Sequence, residues 1–185
     1  MMKNSFLRVP EFKAANALFT EFVQLVANDD SIRRVQFGNA FFIRMNDKVS
    51  FIAYSLQPRL DYKTDDYVTK NFIERYPRCA NLSYTMLALL HEIGHHMTKT
   101  QRNKDENYEN LVATGIVNNI EDYVNLHNEK LATDWAGNFA SKNLLFCMDW
   151  DKKLNSAVLK SHLQFITRMY YEKKYKEKCA EALTK

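Results

Sequence analysis

Residues 83–99 read Ser-Tyr-Thr-Met-Leu-Ala-Leu-Leu-His-Glu-Ile-Gly-His-His-Met-Thr-Lys. Met86, Leu90, Ile93 and Met97 recur at steps of four, three and four, the period of one helix face. Asn81-Leu82-Ser83 offers a cap, so a helix is predicted to start there. His91 and His95 then stand one turn apart on the same side, in the pattern His-Glu-x-x-His. Two imidazoles so placed can take two corners of a tetrahedral zinc ion at about 2.0–2.1 Å. Glu92, next to the first of them, can reach a water on such an ion and accept its proton without ligating. With 5 histidines and 11 glutamates in 185 residues, chance supplies about 0.008 such matches. Gly94 inside the helix costs about 1 kcal/mol against Ala. A segment pressing close is one reason for it, and a tolerated surface glycine is the other.

A catalytic ion needs a third protein ligand and one open position. A metzincin continuation would place Gly at position 98 and His at position 101, but the chain has Thr98 and Gln101. The remaining candidates are Glu121, Asp122, Glu129 and Asp134 on a following helix. At about 100° per residue, Ala132, Thr133, Ala136 and Ala140 share a stripe with Glu129, while Asp134 points elsewhere. Small residues let that stripe press on the histidine helix, where Gly94 offers the gap. Glu129 is therefore the favoured third ligand and Glu121 the competing one. Asp122 returns to within about 20° of Glu129 on a straight helix and is a candidate to hold a ligand histidine by its other nitrogen. His96, His127 and His162 read as rim, surface or packing residues. Tyr108, Tyr123 and His127 are the nearest candidates for an oxyanion donor.

Working outward, residues 11–27 carry a helical stripe that Asn28-Asp29-Asp30 ends. From Arg33 the period shortens. Residues 33–38, 40–46 and 49–55 are rich in β-branched and aromatic residues, with Gly38-Asn39 and Asn46-Asp47-Lys48 as turns, which predicts a three-stranded antiparallel meander. A short helix is expected over 66–76, stopping near Pro77. Helical patterning resumes at about Tyr108 and runs, with a break at Gly115, to about Phe146; a last helix covers 152–180. Gly and Pro together number only 7 of 185, so the chain should be helix-rich. The expected fold is α+β, a single domain over 1–185 with its core at roughly 33–146 and a small antiparallel sheet bordering the cleft.

His91-Glu-Ile-Gly-His95, about 30 residues, and then Glu129-Lys-Leu-Ala-Thr-Asp-Trp-Ala136 resemble the ImmA/IrrE-type metallopeptidases. Their pattern is His-Glu-x-x-His followed by Glu-x-x-Ala-x-x-Phe/Trp-Ala. The resemblance implies a gluzincin-like, hence zincin-like, domain with His91, His95 and Glu129 holding one zinc ion per chain and Glu92 as the base. It also implies cleavage of an intracellular regulator, often one from a phage or mobile element. The chain departs from the family at Thr133, where Asn or Asp is usual, and lacks a Leu-Met-Pro-like ending after the second motif.

The expected function is zinc-dependent hydrolysis of a peptide bond in a protein or peptide substrate. That substrate would add as a strand to a sheet edge around Val49 to Tyr54. The competing reading is a metal-containing interaction protein that binds without cleaving. No apolar run approaches the roughly 18 residues of a membrane span, the first 13 residues lack a signal-peptide core, and three unpaired cysteines suit a reducing compartment. A cytoplasmic protein with no membrane partner is expected. The net charge of +4 is mild and does not mark a nucleic-acid binder. Residues 168–185 carry six basic and three acidic side chains with Met169, Tyr170, Tyr171 and Tyr175 interleaved. Such a run reads first as the solvated face of a terminal helix, with nucleic acid or an acidic partner as alternatives.

Overall fold

The computed structural model describes residues 10–29, 34–37, 41–44, 50–54, 67–100 and 108–183. The first stripe folds as a 3-10 turn, Pro10–Phe12, and helix α1, Lys13–Ala27. Ala15, Phe19, Phe22, Val23 and Val26 are its buried side, and Asn28 closes it in a left-handed conformation at φ 51°. Asn tolerates that region better than most residues because its short polar side chain bonds locally.

Three short strands follow: β1 (Arg34–Phe37), β2 (Phe41–Arg44) and β3 (Ser50–Tyr54). The expected turns at Gly38-Asn39 and Asn46-Asp47-Lys48 lie outside the described residues. The strands do not form an antiparallel meander. Their order is β1-β3-β2, with β1 parallel to β3 and only β2 antiparallel to it. Strand period reports which side of a sheet a residue faces; it carries no information on partner order or direction. With β3 in the centre, flanked on both sides, the segment up to Tyr54 offers no free edge to a substrate strand, and that expectation is withdrawn.

The α+β class is corrected with it. The described residues form seven helices around an all-α core. The other helices are α2 (Tyr67–Arg75), α3 (Tyr84–Thr98), α4 (Tyr108–Ala113), α5 (Ile120–Val124), α6 (His127–Lys142) and α7 (Leu144–Leu183). Pro77 sits at the start of a second 3-10 turn, Pro77–Asn81, directly after α2. Proline suits the first position of such a turn, where its missing N–H is not needed.

α3 is the central helix. It packs on α6, α1 and α7 and borders β2 and β3. Met86, Leu87, Leu89, Leu90 and Ile93 are buried, but Met97 is exposed, so the apolar stripe ends one turn earlier than its spacing indicated. Ser83 caps α3: its Oγ accepts from the Met86 N–H at 3.2 Å. Asp151 of α7 supports the cap, accepting from the Ser83 N–H at 2.7 Å and from its hydroxyl at 2.5 Å. A carboxylate at a helix N-terminus also meets the positive end of the dipole. α7 therefore runs through Asp151 and begins at Leu144 rather than 152. Asp149 is likewise absorbed, pairing with Lys153 one turn on at 2.7 Å.

The stretch 108–146 breaks where Gly115 takes φ 71°, as its sequence suggested, and breaks again at Asn125–Leu126. No helix among the described residues is long and apolar enough to cross a membrane. All three cysteines are free thiols; Cys79 and Cys147 are buried, which pushes the Cys147 thiol up to about 12.

Candidate metal centre

The contact between α3 and α6 brings the site together. A Cβ placed on Gly94 would lie 2.3 Å from the backbone oxygen of Ala132, so no larger residue fits where the two helices cross. Ala132, Ala136 and Ala140 are fully buried in α6. Small residues on both sides let the backbones approach, and the side chains one turn from Gly94 then reach across.

His91, His95 and Glu129 meet there. His91 Nε2 lies 3.1 Å from His95 Nε2 and 3.0 Å from Glu129 Oε2, and His95 Nε2 lies 3.5 Å from Glu129 Oε1. Bonds of about 2.0–2.1 Å to a tetrahedral zinc give ligand separations of about 3.3 Å. His95 and Glu129 are buried and His91 nearly so. The three side chains form a cluster that could hold a metal ion.

The other ring nitrogens are held as well. His91 Nδ1 lies 3.1 Å from Thr133 Oγ1, and His95 Nδ1 lies 3.2 Å from Thr100 Oγ1. Donation by each Nδ1–H to its threonine leaves both Nε2 lone pairs aimed into the cluster. Two bare lone pairs and a carboxylate at these separations need a proton or a cation among them, so the donor set fits a divalent ion. Thr100 arrives by way of Lys99, which takes φ 57° at the end of α3, while the Thr100 N–H returns to the His95 carbonyl at 3.0 Å. Thr98 completes the turn, donating to the Gly94 carbonyl at 2.7 Å.

Glu129 owes its place to the break before α6. It lies in that helix's first turn, where a carboxylate is favoured by the dipole. Burial pushes its carboxyl up, but the hydrogen bonds and charge of His91 and His95 outweigh burial and hold it well below the usual range. Glu92 is outside the cluster but lines the same cleft, about 180 Å³, together with His91, Glu129 and Thr133. Burial pushes its carboxyl up to about 7; His95 pulls against that shift and Glu129 adds to it. The described residues lining the cleft all come from α2, α3, α5 and α6.

The chain matches no family model, no curated protein and no solved structure.

The remaining candidates fall elsewhere. Glu121 is exposed on α5, away from the cluster. Asp122 is not a partner of either histidine. The straight helix that would align it with Glu129 is interrupted at Asn125, and its carboxylate instead accepts from the Asn118 N–H at 2.9 Å and side-chain amide at 3.0 Å. Asp134 turns to the opposite side, paired with Arg75 and accepting from the Tyr76 hydroxyl at 2.7 Å. His96 pairs with Asp29 at 3.0 Å, and His127 is exposed at the start of α6. Tyr123 lines the cleft. Thr133, placed by the sequence on the stripe beside Glu129 but given no role at His91, and Thr100, not singled out at all, are the ring-nitrogen partners that sequence reasoning missed. Thr133 follows Glu129 by four, a helical neighbour spacing that could have flagged it, whereas Thr100 has no signal before the turn at Lys99 is known.

Proposed function

We propose that the protein is a zinc-dependent peptidase, hydrolysing a peptide bond in a protein or peptide that places an apolar side chain in the cleft. The observation that carries the reading is Glu92: a carboxylate outside the metal-binding cluster, adjacent to His91 in sequence and lining the same cleft. A purely structural ion has no use for such a group. His91, His95 and Glu129 would hold the ion, leaving one of four positions for water or substrate. When bound, zinc supplies Lewis-acid chemistry, making a water acidic and polarising a carbonyl.

The chain's own residues do the rest. Glu92 takes the proton of the attacking water and returns it to the leaving amine. Thr133 and Thr100 fix the histidine rings so that the cluster keeps its shape. Phe72, Leu87 and Val124 give the cleft apolar walls suited to an aliphatic or aromatic side chain beside the scissile bond. The resemblance of the two motifs to ImmA/IrrE-type metallopeptidases points to an intracellular regulatory protein as the substrate.

The test uses zinc-loaded protein and a library of fluorogenic peptides with apolar residues around the cleavage point. Wild type should hydrolyse members of the library. Glu92→Gln should hold as much zinc as wild type and turn over at least about 10²-fold more slowly. Equal turnover by the two proteins overturns the assigned role of Glu92. Stoichiometric zinc with no hydrolysis of any member favours the reading of a metal-holding interaction protein.

A further inference from the structure

α7 is 40 residues long, and its two faces differ. One face is sealed. Cys147, Trp150, Leu154 and Ser161 are buried, Phe165 packs against Phe12 with ring centroids 6.2 Å apart, and Arg168 reaches Glu11 at 2.5 Å. On the opposite face Leu159, Leu163, Ile166 and Tyr170 follow at steps of four, three and four, yet are 60%, 55%, 50% and 51% exposed. At about 100° per residue they fall within about 60° of one another, a seam about 17 Å long. Lys152 before the seam and Glu177 after it share its direction and end it.

The seam's borders are mostly basic, the one acid at its end, Glu177, lying 3.9 Å from Lys173. Lys160, Lys173, Lys174 and Lys176 flank it and are exposed. Glu172, the acid within that span, turns to the far side and pairs with Arg168 at 2.7 Å. We propose that this face of α7 is a docking surface for an acidic amphipathic helix of another protein. Alternating steps of three and four are the a and d positions of a helix pair, and flanking charges select the partner. A partner with carboxylates beside its apolar seam meets each lysine with an opposite charge.

A second copy of this chain does not. Parallel pairing sets every lysine against its own counterpart. Antiparallel pairing centred between Leu163 and Ile166 sets Lys152 level with Glu177 at each end, but it puts Lys160 level with Met169, Lys173 with Ser156, Lys174 with Asn155 and Lys176 with Lys153, so none of the four flanking lysines gains a carboxylate. A lipid surface is a poorer match as well, because Lys160, Lys173 and Lys174 stand between the seam and the other exposed side chains Met169, Tyr171 and Tyr175, whereas helices that lie in a membrane interface present an unbroken apolar face.

The experiment uses the full chain and a fluorescein-labelled synthetic helix with leucine at its a and d positions and glutamate beside them. Fluorescence anisotropy should show saturable binding that weakens as salt rises. A double variant, Leu163→Gln with Ile166→Gln, should weaken it at least about tenfold. Its melting temperature should match wild type, since both side chains stand in solvent. Lys160→Glu with Lys174→Glu should shift preference to the matching peptide with lysine in place of glutamate. The proposal is overturned by no saturation at about 1 mM, by equal binding of the two peptides, or by indifference to the glutamine variant. It is equally overturned if the glutamine variant abolishes a dimer seen by ultracentrifugation, or co-sedimentation with phosphatidylcholine–phosphatidylserine vesicles.

Discussion

Along α6, Ala132, Ala136 and Ala140 recur every four residues and are fully buried; along the outer half of α7, Leu159, Leu163, Ile166 and Tyr170 recur at similar steps and stand in solvent. The larger, more apolar side chains are the ones left outside. Each alanine methyl removes little area from water, at roughly 25 cal/mol per Å². What the alanines permit is close approach of two backbones, and Gly94 supplies the matching gap on α3. The seam at the site is therefore decided by shape, while the α7 seam is apolar surface that nothing among the described residues covers. Helical spacing alone does not separate these two cases.

The largest effect should come from removing the acid that the α6 seam delivers. Glu129→Ala should cost more zinc affinity than the about 100-fold that loss of a supporting partner can cost, whereas Glu121→Ala should leave zinc unchanged. Isothermal titration with zinc compares the two directly. The opposite ranking would move the third ligand to α5 and detach the site from the α3–α6 seam.

Gly94→Ala attacks the seam itself. Alanine gains about 1 kcal/mol in helix propensity, but its Cβ would fall 2.3 Å from the Ala132 carbonyl oxygen, a backbone atom that cannot swing aside. A net loss of about 2 kcal/mol is expected, read as a melting temperature lower by about 4–8 °C. Zinc should bind more weakly as well, because ligand distances tolerate only about ±0.2 Å. A Gly94→Ala protein as stable as wild type would mean that the helices do not cross this closely. The Leu163→Gln and Ile166→Gln pair is the contrasting case, in which a change of several apolar atoms should leave the melting temperature where it was.

Thr133→Val should be gentler. Valine keeps the shape and removes the oxygen that holds His91 Nδ1 at 3.1 Å. Zinc affinity should fall about 10–100-fold, with melting of the metal-free protein changed by less than the Gly94 variant. The smallest effect is expected at Asp122. Asp122→Ala loses two contacts to exposed Asn118, so stability should drop by no more than about 1 kcal/mol and zinc affinity should not change. A zinc defect there would restore the straight helix that the break at Asn125 contradicts.

The sequence by itself determined the local features. His91 and His95 share a side of α3 because they are four apart, Ser83 caps that helix because its hydroxyl can accept the Met86 N–H, and Gly115 breaks the next one because it takes a positive φ without a Cβ penalty. The phase of Glu129 relative to Ala132 and Ala136 is also local. Only tertiary structure decided what meets what. Whether β1 pairs with β2 or β3 depends on competition for backbone hydrogen bonds that side-chain period does not record. α7 runs back to Leu144 rather than starting at 152, and Asp151 inside it is held by Ser83, 68 residues earlier in the chain. The partners of the two ring nitrogens, Thr133 and Thr100, follow from a helix crossing and a left-handed turn at Lys99, each set by packing across elements far apart in the chain. Spacing fixes the direction of a side chain from its own backbone, and only the packing of other elements fixes what lies at the end of that direction.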